Sequence, residues 1–288
     1  MVLSGAAEGF ELLPRLCPRH VALIEPTFTE PAVVLRAAGI RVTHVILEQP
    51  WQLTDAPVVP DDADLVVIGN PTNPTSVLHP AQAILSLRRP GRLIVVDEAF
   101  ADLTLDPRTD RREPETLASQ SLPDVIVLRS ITKTFALAGL RAGYFLAAPE
   151  VIARLSRGRR PWAVGTLGLT ALTECLGPHG QQYCDRIARE VAAERTYFIS
   201  ALQAAGFAPC ASPSAPFVLI RVPSAFRVKE LLRHKGFSVR SAANFVGLDD
   251  DHMRLAVRDR RTAREFVDAL DWAARQVADM TRTKGPNR

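Results

Sequence analysis

The first half of the chain alternates short apolar runs with stretches of helical character. Each run holds four to six residues, most of them apolar or β-branched, which is typical of buried strands. Strands that alternate with helices in this way predict an α/β fold, with a mostly parallel sheet covered by helices on both faces. The six predicted strands are residues 20–24, 42–47, 64–68, 93–96, 125–128 and 143–146.

Polar residues follow three of these predicted strands. They are residues 70–73, 97–98 and 130–133. Ligands of open parallel sheets bind beyond the carboxyl ends of the strands. We therefore expect these three groups to meet at one site.

The pattern becomes helical after Pro149, through residues 150–155, 167–176 and 181–205. A Pro- and Ser-rich stretch follows, and then a smaller α+β pattern of a strand, a helix, two strands and a closing helix: 217–222, 225–235, 237–240, 253–257 and 262–278. We predict three units and a frayed tail: a large domain over 1–180, a linking helix over 181–205, a small C-terminal domain over 206–288, and a tail over 281–288.

Composition limits the classes of protein. The 288 residues are 47% hydrophobic, enough for a sizeable core, and 35 basic residues are interspersed with 31 acidic ones, so the net charge of +4 does not indicate a nucleic-acid binder. Four cysteines without a CxxC pair and six histidines without metal-ligand spacing predict a reduced, metal-free, cytoplasmic protein. No apolar run has the length that spans a bilayer, so we expect no membrane partner.

One lysine differs in setting from the other three. Lys229 and Lys235 lie in a charged helical stretch and Lys284 lies in the polar tail, whereas Lys133 lies near apolar sequence in the segment RSITKTFALAGLRAGY, residues 129–144. Burial of an amine lowers its pKa, which favours lysine chemistry.

This segment resembles the class I/II aminotransferases, enzymes of fold type I that use pyridoxal 5′-phosphate (PLP). It is similar above all to histidinol-phosphate aminotransferase and to threonine-phosphate decarboxylase of cobalamin biosynthesis. The resemblance implies that Lys133 is the catalytic residue and forms a Schiff base with PLP. It also implies that Ser130, Thr132 and Arg141 contact the cofactor phosphate.

Two further segments carry the resemblance. Residues 95–100 (VVDEAF) match the family's Asp-Glu-Ala-Tyr segment, which implies that Asp97 pairs with the pyridine nitrogen and keeps it protonated. Phe100 replaces the usual Tyr, so one hydrogen bond to the cofactor O3′ is missing. Residues 69–76 (GNPTNPTS) resemble the loop Asn-Pro-x-Asn-Pro-Thr-Gly, which implies that Asn73 donates to O3′.

Residues toward both ends of the chain also carry the resemblance. Small residues before the first predicted helix, Gly5, Ala6 and Ala7, are expected to offer backbone N–H groups to the phosphate, aided by the helix dipole. The resemblance implies that Phe28 stacks on the pyridine ring. Near the C-terminus it implies that Arg254 grips a substrate carboxylate, and that Arg240 is a second anion contact.

The resemblance specifies the cofactor better than the reaction. The segments 97–100, 161–164 and 244–248 favour a threonine-phosphate decarboxylase-like enzyme acting on an α-amino acid or amine phosphate. A histidinol-phosphate-type aminotransferase is the alternative, and a catalytically silent PLP-fold binding protein is the third. Relatives usually carry some tens of residues before the Gly-Ala loop, so an N-terminal arm is expected to be missing. The resemblance therefore does not decide whether this chain is active. Relatives are homodimers, and we expect a homodimer.

Overall fold

The computed structural model describes residues 1–54 and 59–282, which form a large and a small sheet with eight α-helices among the described residues. The elements, in chain order, are β1 (Val2–Leu3), α1 (Gly5–Leu12), β2 (His20–Glu25), α2 (Glu30–Ala37), β3 (Arg41–Ile46), β4 (Leu65–Gly69), α3 (Ala81–Leu85), β5 (Leu93–Asp97), β6 (Leu105–Asp106), β7 (Arg111–Arg112), β8 (Val125–Ser130), β9 (Gly143–Leu146), α4 (Pro149–Ser156), α5 (Thr166–Leu176), α6 (Pro178–Ala204), β10 (Phe217–Arg221), α7 (Ala225–His234), β11 (Arg240–Ser241), β12 (His252–Ala256) and α8 (Arg260–Arg282).

The large sheet has seven strands in the order β1-β9-β8-β5-β4-β2-β3. The five strands from β8 to β3 are parallel, whereas β9 runs antiparallel to β8, and β1 runs antiparallel to β9. The predicted α/β class with a mostly parallel sheet is therefore confirmed. The six predicted strands all form in this sheet, and the two-residue β1 is an addition that the sequence pattern did not predict.

Alternate residues of the central strands face opposite sides of the sheet, as the two-residue period of a strand requires. In β2, Val21 and Leu23 pack into a core with α1, α2 and α4. Ala22 and Ile24 pack into a second core with α3 and the segment around Leu117. Both faces of the strands are buried, which explains why their sequences are continuously apolar.

The small sheet has the order β10-β12-β11, with antiparallel pairs, and its core is closed by α6, α7 and α8. The strand predicted over 237–240 is wrong for its first three residues, because only Arg240 and Ser241 pair with β12. Phe237 instead packs edge to face against Phe266 of α8, with ring centroids 5.5 Å apart. The predicted domain boundaries stay a prediction.

Two further predictions concern the C-terminal end of the chain and its relation to a membrane. Thr281 and Arg282 belong to α8, so the frayed tail is wrong for these two residues, and 283–288 lie outside the described residues. Across residues 1–54 and 59–282, no helix combines the length and the apolarity needed to cross a bilayer. The cytoplasmic location stays a prediction.

Candidate functional site

A cavity of about 300 Å³ lies at the carboxyl edge of the large sheet, against the small sheet. Because β2, β4, β5 and β8 are parallel neighbours, the residues that follow them arrive at the same edge. Of the residues predicted from the sequence, all but Gly5 line this cavity: Ala6, Ala7, Phe28, Asn73, Asp97, Ser130, Thr132, Lys133, Arg141, Arg240 and Arg254. Phe10, Thr27, Phe100 and Phe245 also line it.

Lys133 lies in the turn that follows β8. Its side chain is exposed to the open cavity rather than buried, which corrects the expectation drawn from the apolar sequence around it. Its Nζ lies 5.7 Å from the centre of the Phe100 ring. The surrounding protein nevertheless excludes part of the water, and this, together with the charges of Arg254 and Arg141, lowers the pKa of Lys133, while Asp97 opposes the change. The lowered pKa increases the fraction of neutral, nucleophilic amine.

Asp97 ends β5 and faces the cavity. One carboxylate oxygen accepts a hydrogen bond from the Ala99 N–H at 3.0 Å, and no cation among the described residues lies within ion-pair distance of it. Burial raises the pKa of Asp97 to about 6, the Ala99 N–H opposes this, and the neighbouring Glu98 adds to it. The site therefore presents a carboxylate that a cationic ligand group would stabilise.

Hydrogen bonds behind the cavity hold the loop that carries Asn73. The Thr72 hydroxyl lies 2.8 Å from His79 Nε2, while His79 Nδ1 accepts the Leu53 N–H at 3.0 Å. Burial lowers the pKa of His79 to about 4, so the ring is neutral at pH 7. The His79 N–H also donates to Asn70 Oδ1 at 2.8 Å. His79 was not singled out from the sequence, because a lone histidine has no spacing signal.

The anion end of the cavity lies between the first turn of α1 and Arg141. Gly5 has a φ of +77°, and a Cβ added there would lie 2.3 Å from Arg141 Nη2. The absence of a side chain at Gly5 therefore lets the guanidinium approach the N-terminus of α1. Ser130 Oγ accepts the Thr132 N–H at 3.2 Å, which orders the hydroxyl-bearing turn beside it. Hydroxyls, a guanidinium and backbone N–H groups are a donor set suited to a phosphate.

Aromatic rings join the two sheets across the cavity. Phe28 packs against Phe10 with ring centroids 6.0 Å apart. Phe100 meets Phe217 of β10 edge to face at 5.0 Å, and the Arg254 guanidinium lies over the Phe217 ring at 5.0 Å. The sequence pattern did not predict this role for Phe217, since the contact depends on how the small sheet packs against the large one.

Arg254 and Arg240 are cross-strand neighbours on β12 and β11. Arg254 Nη1 donates to Asn73 Oδ1, and Arg240 Nη2 donates to Asn244 Oδ1 at 3.1 Å. Burial and the charge of Arg240 both lower the pKa of Arg254. Two guanidinium groups that face one cavity from the side opposite Arg141 make a second anion-binding end.

A buried ionic cluster, which the sequence motifs did not reveal, lies behind the lysine turn. Arg129 contacts Glu98 at 2.9 Å, Asp102 at 3.0 Å and Glu113 at 2.5 Å. Burial opposes the charge of Arg129, but Glu98 and Glu113 outweigh it and raise its pKa. Thr134, next to Lys133, donates to Asp102 at 3.0 Å, so the cluster supports the turn that carries the lysine.

This donor set fits PLP. The Gly5 and Arg141 end matches its phosphate, Asp97 matches a protonated ring nitrogen, and Lys133 supplies the amine that would bond to its aldehyde. The aromatic rings of Phe28 and Phe100 match a flat heterocycle. Arg254 and Arg240 remain for an anionic group of the substrate.

Comparison with known proteins agrees with the geometry. The sequence profile for "Aminotransferase class I and II" matches residues 1–270. A histidinol-phosphate aminotransferase of Mycobacterium bovis is 50% identical over 256 residues, which cover 89% of this chain and 68% of the relative. A threonine-phosphate decarboxylase of a Sinorhizobium species is 35% identical over 239 residues, which cover 80% of this chain and 65% of the relative.

A solved structure supports the same assignment. The crystal structure of the histidinol-phosphate aminotransferase from Clostridium acetobutylicum superposes with a TM-score of 0.87 at 27% identity. The superposition covers 96% of this chain and 84% of that protein.

Proposed function

Because this chain belongs to the class I and II aminotransferase family, and is therefore a PLP-dependent enzyme, we propose that it is an aminotransferase acting on histidinol phosphate. The observation that carries this proposal is the cavity with Lys133 between two anion-binding ends. One end suits the cofactor phosphate, and the other suits an anionic group of the substrate.

The choice of reaction rests on sequence similarity. The relative named histidinol-phosphate aminotransferase is 50% identical to this chain, against 35% for the relative named threonine-phosphate decarboxylase. The decarboxylase, which the sequence motifs favoured, is therefore less well supported than the aminotransferase alternative. It remains the second candidate, because its relative still shares more than a third of the aligned residues. A catalytically silent protein is not supported, since the family is enzymatic.

Each residue is assigned a role in holding the reacting groups. Gly5, Ala6 and Ala7 of α1 offer backbone N–H groups to the phosphate. With them, Ser130, Thr132 and Arg141 bind the same phosphate. Asn73 contacts the ring hydroxyl, and Phe28 packs on the ring.

Asp97 and Lys133 supply the proton chemistry. When bound, PLP acts as an electron sink for negative charge at the substrate α-carbon. The Asp97 carboxylate keeps the ring nitrogen protonated, which strengthens that sink. Lys133 Nζ would take the proton from the α-carbon of the amino donor and, in the second half of the reaction, would deliver a proton to the α-carbon of the amino acid formed from the 2-oxo acid. Its lowered pKa favours the neutral amine that can accept a proton.

Arg254 and Arg240 select and orient the substrate. A planar guanidinium binds a carboxylate or phosphate by two parallel hydrogen bonds, which fixes the substrate relative to Lys133. An aminotransferase must accept two substrates in turn, an amino donor and a 2-oxo acid. The neighbouring guanidinium groups give both substrates an anion contact in one place.

The decisive assay compares two substrates. With PLP, histidinol phosphate and 2-oxoglutarate, we expect glutamate to accumulate, and with threonine O-phosphate we expect no CO₂. Release of CO₂ without transfer of an amino group would replace the proposal by the second candidate.

The lysine assignment has its own test. Borohydride reduction of the PLP-loaded protein is expected to attach the cofactor to Lys133, as read by peptide mass spectrometry. Lys133→Ala should abolish both the label and the activity. Lys235→Ala is the matched control, because Lys235 lies over the exposed Trp272 ring, 4.5 Å from its centre. A label on another lysine would refute the assignment.

We also propose a homodimer. Trp162, Leu167 and Leu169 are 95%, 73% and 43% exposed, respectively, on and just before α5. Large apolar side chains left exposed in one short stretch of the chain favour an interaction surface there. Light scattering of the purified protein should give twice the mass of the chain. Trp162→Glu should shift that mass toward the monomer.

A further inference from the structure

Ser76 closes the loop that carries Asn73, and its backbone is in the left-handed region with a φ of +65°. A non-glycine residue in this region is strained, whereas glycine adopts it freely. The pattern Asn-Pro-x-Asn-Pro-Thr-Gly that this loop resembles ends in glycine, but this chain has serine. The side chain is completely buried. Because serine is strained at this position and glycine would not be, we expect the buried Ser76 hydroxyl to make a contact that glycine could not make.

The hydroxyl of Ser76 contacts the segment that leads into the small sheet. Its Oγ accepts the Ala215 N–H at 2.7 Å, and the Ser76 carbonyl accepts the Ser214 N–H at 2.8 Å. Ala215 is also completely buried, so its N–H has no access to water. A buried amide that loses its acceptor is costly, which makes this contact a strong restraint on the segment.

The restrained segment is joined directly to the strand that carries Arg254. The Pro216 carbonyl accepts the Val257 N–H at 3.0 Å, three residues beyond Arg254. The next residue, Phe217, carries the ring under the Arg254 guanidinium. A displacement of the segment would therefore move Arg254 relative to Asn73.

Helix α6 holds the same segment from the other side. Arg195 Nη1 donates to the Ser214 carbonyl at 3.0 Å, and within the described residues no carboxylate lies in ion-pair distance of it. Burial lowers its pKa to about 10. Burying a guanidinium costs free energy, because the charged group loses its hydration. That Arg195 is buried against the Ser214 carbonyl therefore indicates that the fold requires the segment 214–216 to be held in this place.

The small sheet has a second attachment, which is apolar. Trp51, Leu219, Ala242 and Phe245 form an apolar cluster between the segment after β3 and the small sheet. No residue of the segment 214–216 belongs to this cluster. None of its members is changed by a substitution at Ser76, so the effects of such a substitution report on the Ser76 contact.

We infer that Ser76 is a positioning residue: its hydroxyl fixes the segment 214–216 so that Arg254 lies against Asn73 at the substrate end of the cavity. The substrate role of Arg254 rests on the proposed function. The contact between Ser76 and Ala215 does not, and it can be measured without substrate.

The test uses two substitutions that separate the hydroxyl from the backbone strain. Ser76→Ala keeps the strain and removes the hydroxyl, whereas Ser76→Gly removes both and folds without a steric penalty. Ser86→Ala is the control, because within residues 1–54 and 59–282 the Ser86 hydroxyl donates only to the Ala83 carbonyl of α3, at 2.7 Å. Hydrogen exchange of the Ala215 amide is measured in the whole PLP-loaded protein, followed by KM and kcat.

In both variants we expect the Ala215 amide to exchange at least about tenfold faster, since a buried N–H loses its acceptor. KM should rise about tenfold while kcat stays within about threefold, because Lys133 and Asp97 are not displaced. Wild-type exchange and KM in Ser76→Gly would overturn the inference, since strain alone would then explain any effect in Ser76→Ala. Wild-type values in both variants would overturn it too. If histidinol phosphate proves not to be a substrate, the exchange measurement still decides the Ser76 contact.

Discussion

Phe100 meets Phe217 edge to face, with ring centroids 5.0 Å apart. The contact joins the turn after β5, the strand that ends at Asp97, to β10, which pairs with the strand that carries Arg254. Lys133 lies on the Phe100 side of this pair, and the Arg254 guanidinium lies over Phe217. The two aromatic rings therefore set the spacing between the amine that reacts and the cation that holds the substrate.

Removal of the Phe100 ring should cost stability through this pair. An edge-to-face contact is worth about 1 kcal/mol beyond the buried area, so in a chain of 288 residues Phe100→Leu should lower Tm by about 2 °C. Differential scanning calorimetry measures the change. Phe226→Leu is the control, since Phe226 is 70% exposed and should leave Tm unchanged. Equal shifts in the two variants would show that the pair adds nothing.

Asp97 gives the cofactor-free protein a defined pH dependence. Its pKa is about 6 in the folded chain, above the ordinary value near 3.8, so the folded state binds the proton more tightly than the unfolded state. The stabilising effect of that proton is present below about pH 4 and is lost as pH rises through 6. Asp97→Asn has no such loss, and it should exceed the wild type in unfolding free energy by about 2 kcal/mol at pH 7.5 but not at pH 4. Urea unfolding at both pH values tests this.

The same substitution should weaken cofactor binding. The carboxylate form is the one that stabilises a cationic ring nitrogen, so PLP affinity of the wild type should fall as pH drops below about 6. The affinity of Asp97→Asn should be at least about tenfold lower at pH 7.5, corresponding to loss of a charge-assisted contact. Titration by PLP absorbance provides the measurement, and an unchanged Kd would contradict the assigned role.

Gly5→Ala tests the approach of Arg141 to α1. The added Cβ would lie 2.3 Å from Arg141 Nη2, so the guanidinium must move away from the phosphate end. We expect the Kd for PLP to rise at least about tenfold. Gly39→Ala is a matched control, because its φ of +73° imposes similar backbone strain, but no atom lies within 4 Å of the new Cβ. If both variants bind PLP equally well, the clash is irrelevant to the cofactor.

Arg254→Lys should separate substrate binding from cofactor binding. Lysine keeps the charge but loses the planar pair of donors and the hydrogen bond to Asn73. KM should rise about 10- to 100-fold, while the absorbance of bound PLP stays that of the wild type. Arg258→Lys, an exposed change on the same segment, should leave both unchanged.

Arg129→Met should be strongly destabilising, because among the described residues Arg129 is the only cation in contact with the buried Glu98. Asp102 and Glu113 also lose one cation each, although Arg112 still contacts both of them. Breaking a buried ionic cluster on one side costs about 3–5 kcal/mol, measured by chemical unfolding. Arg186→Met, at a half-exposed i,i+4 pair with Glu190, should cost less than about 0.5 kcal/mol. Similar losses in both variants would show that the cluster is not a special source of stability.

The sequence by itself determined six of the seven strands of the large sheet and the residues at the ends of those strands. Continuous apolar runs can only be buried strands or helices, and their short length selected strands. Because parallel strands end at the same edge, Asn73, Asp97 and Lys133 could be placed together from local spacing alone. The predicted bounds of an element were wrong where tertiary packing overrode the local pattern. Phe237 is an example: it was predicted to lie in a strand, but its ring packs on α8.

Only the tertiary structure decided which distant residues meet. Arg254 and Asn73 are 181 residues apart, and Ser76 and Ala215 are 139 apart. No local spacing encodes such contacts, because they follow from how the small sheet packs on the large one. The left-handed backbone of Ser76 and the carboxylates around Arg129 likewise arise from long-range packing. The sequence therefore specified the chemistry of the site, and the packing of the two sheets specified its geometry.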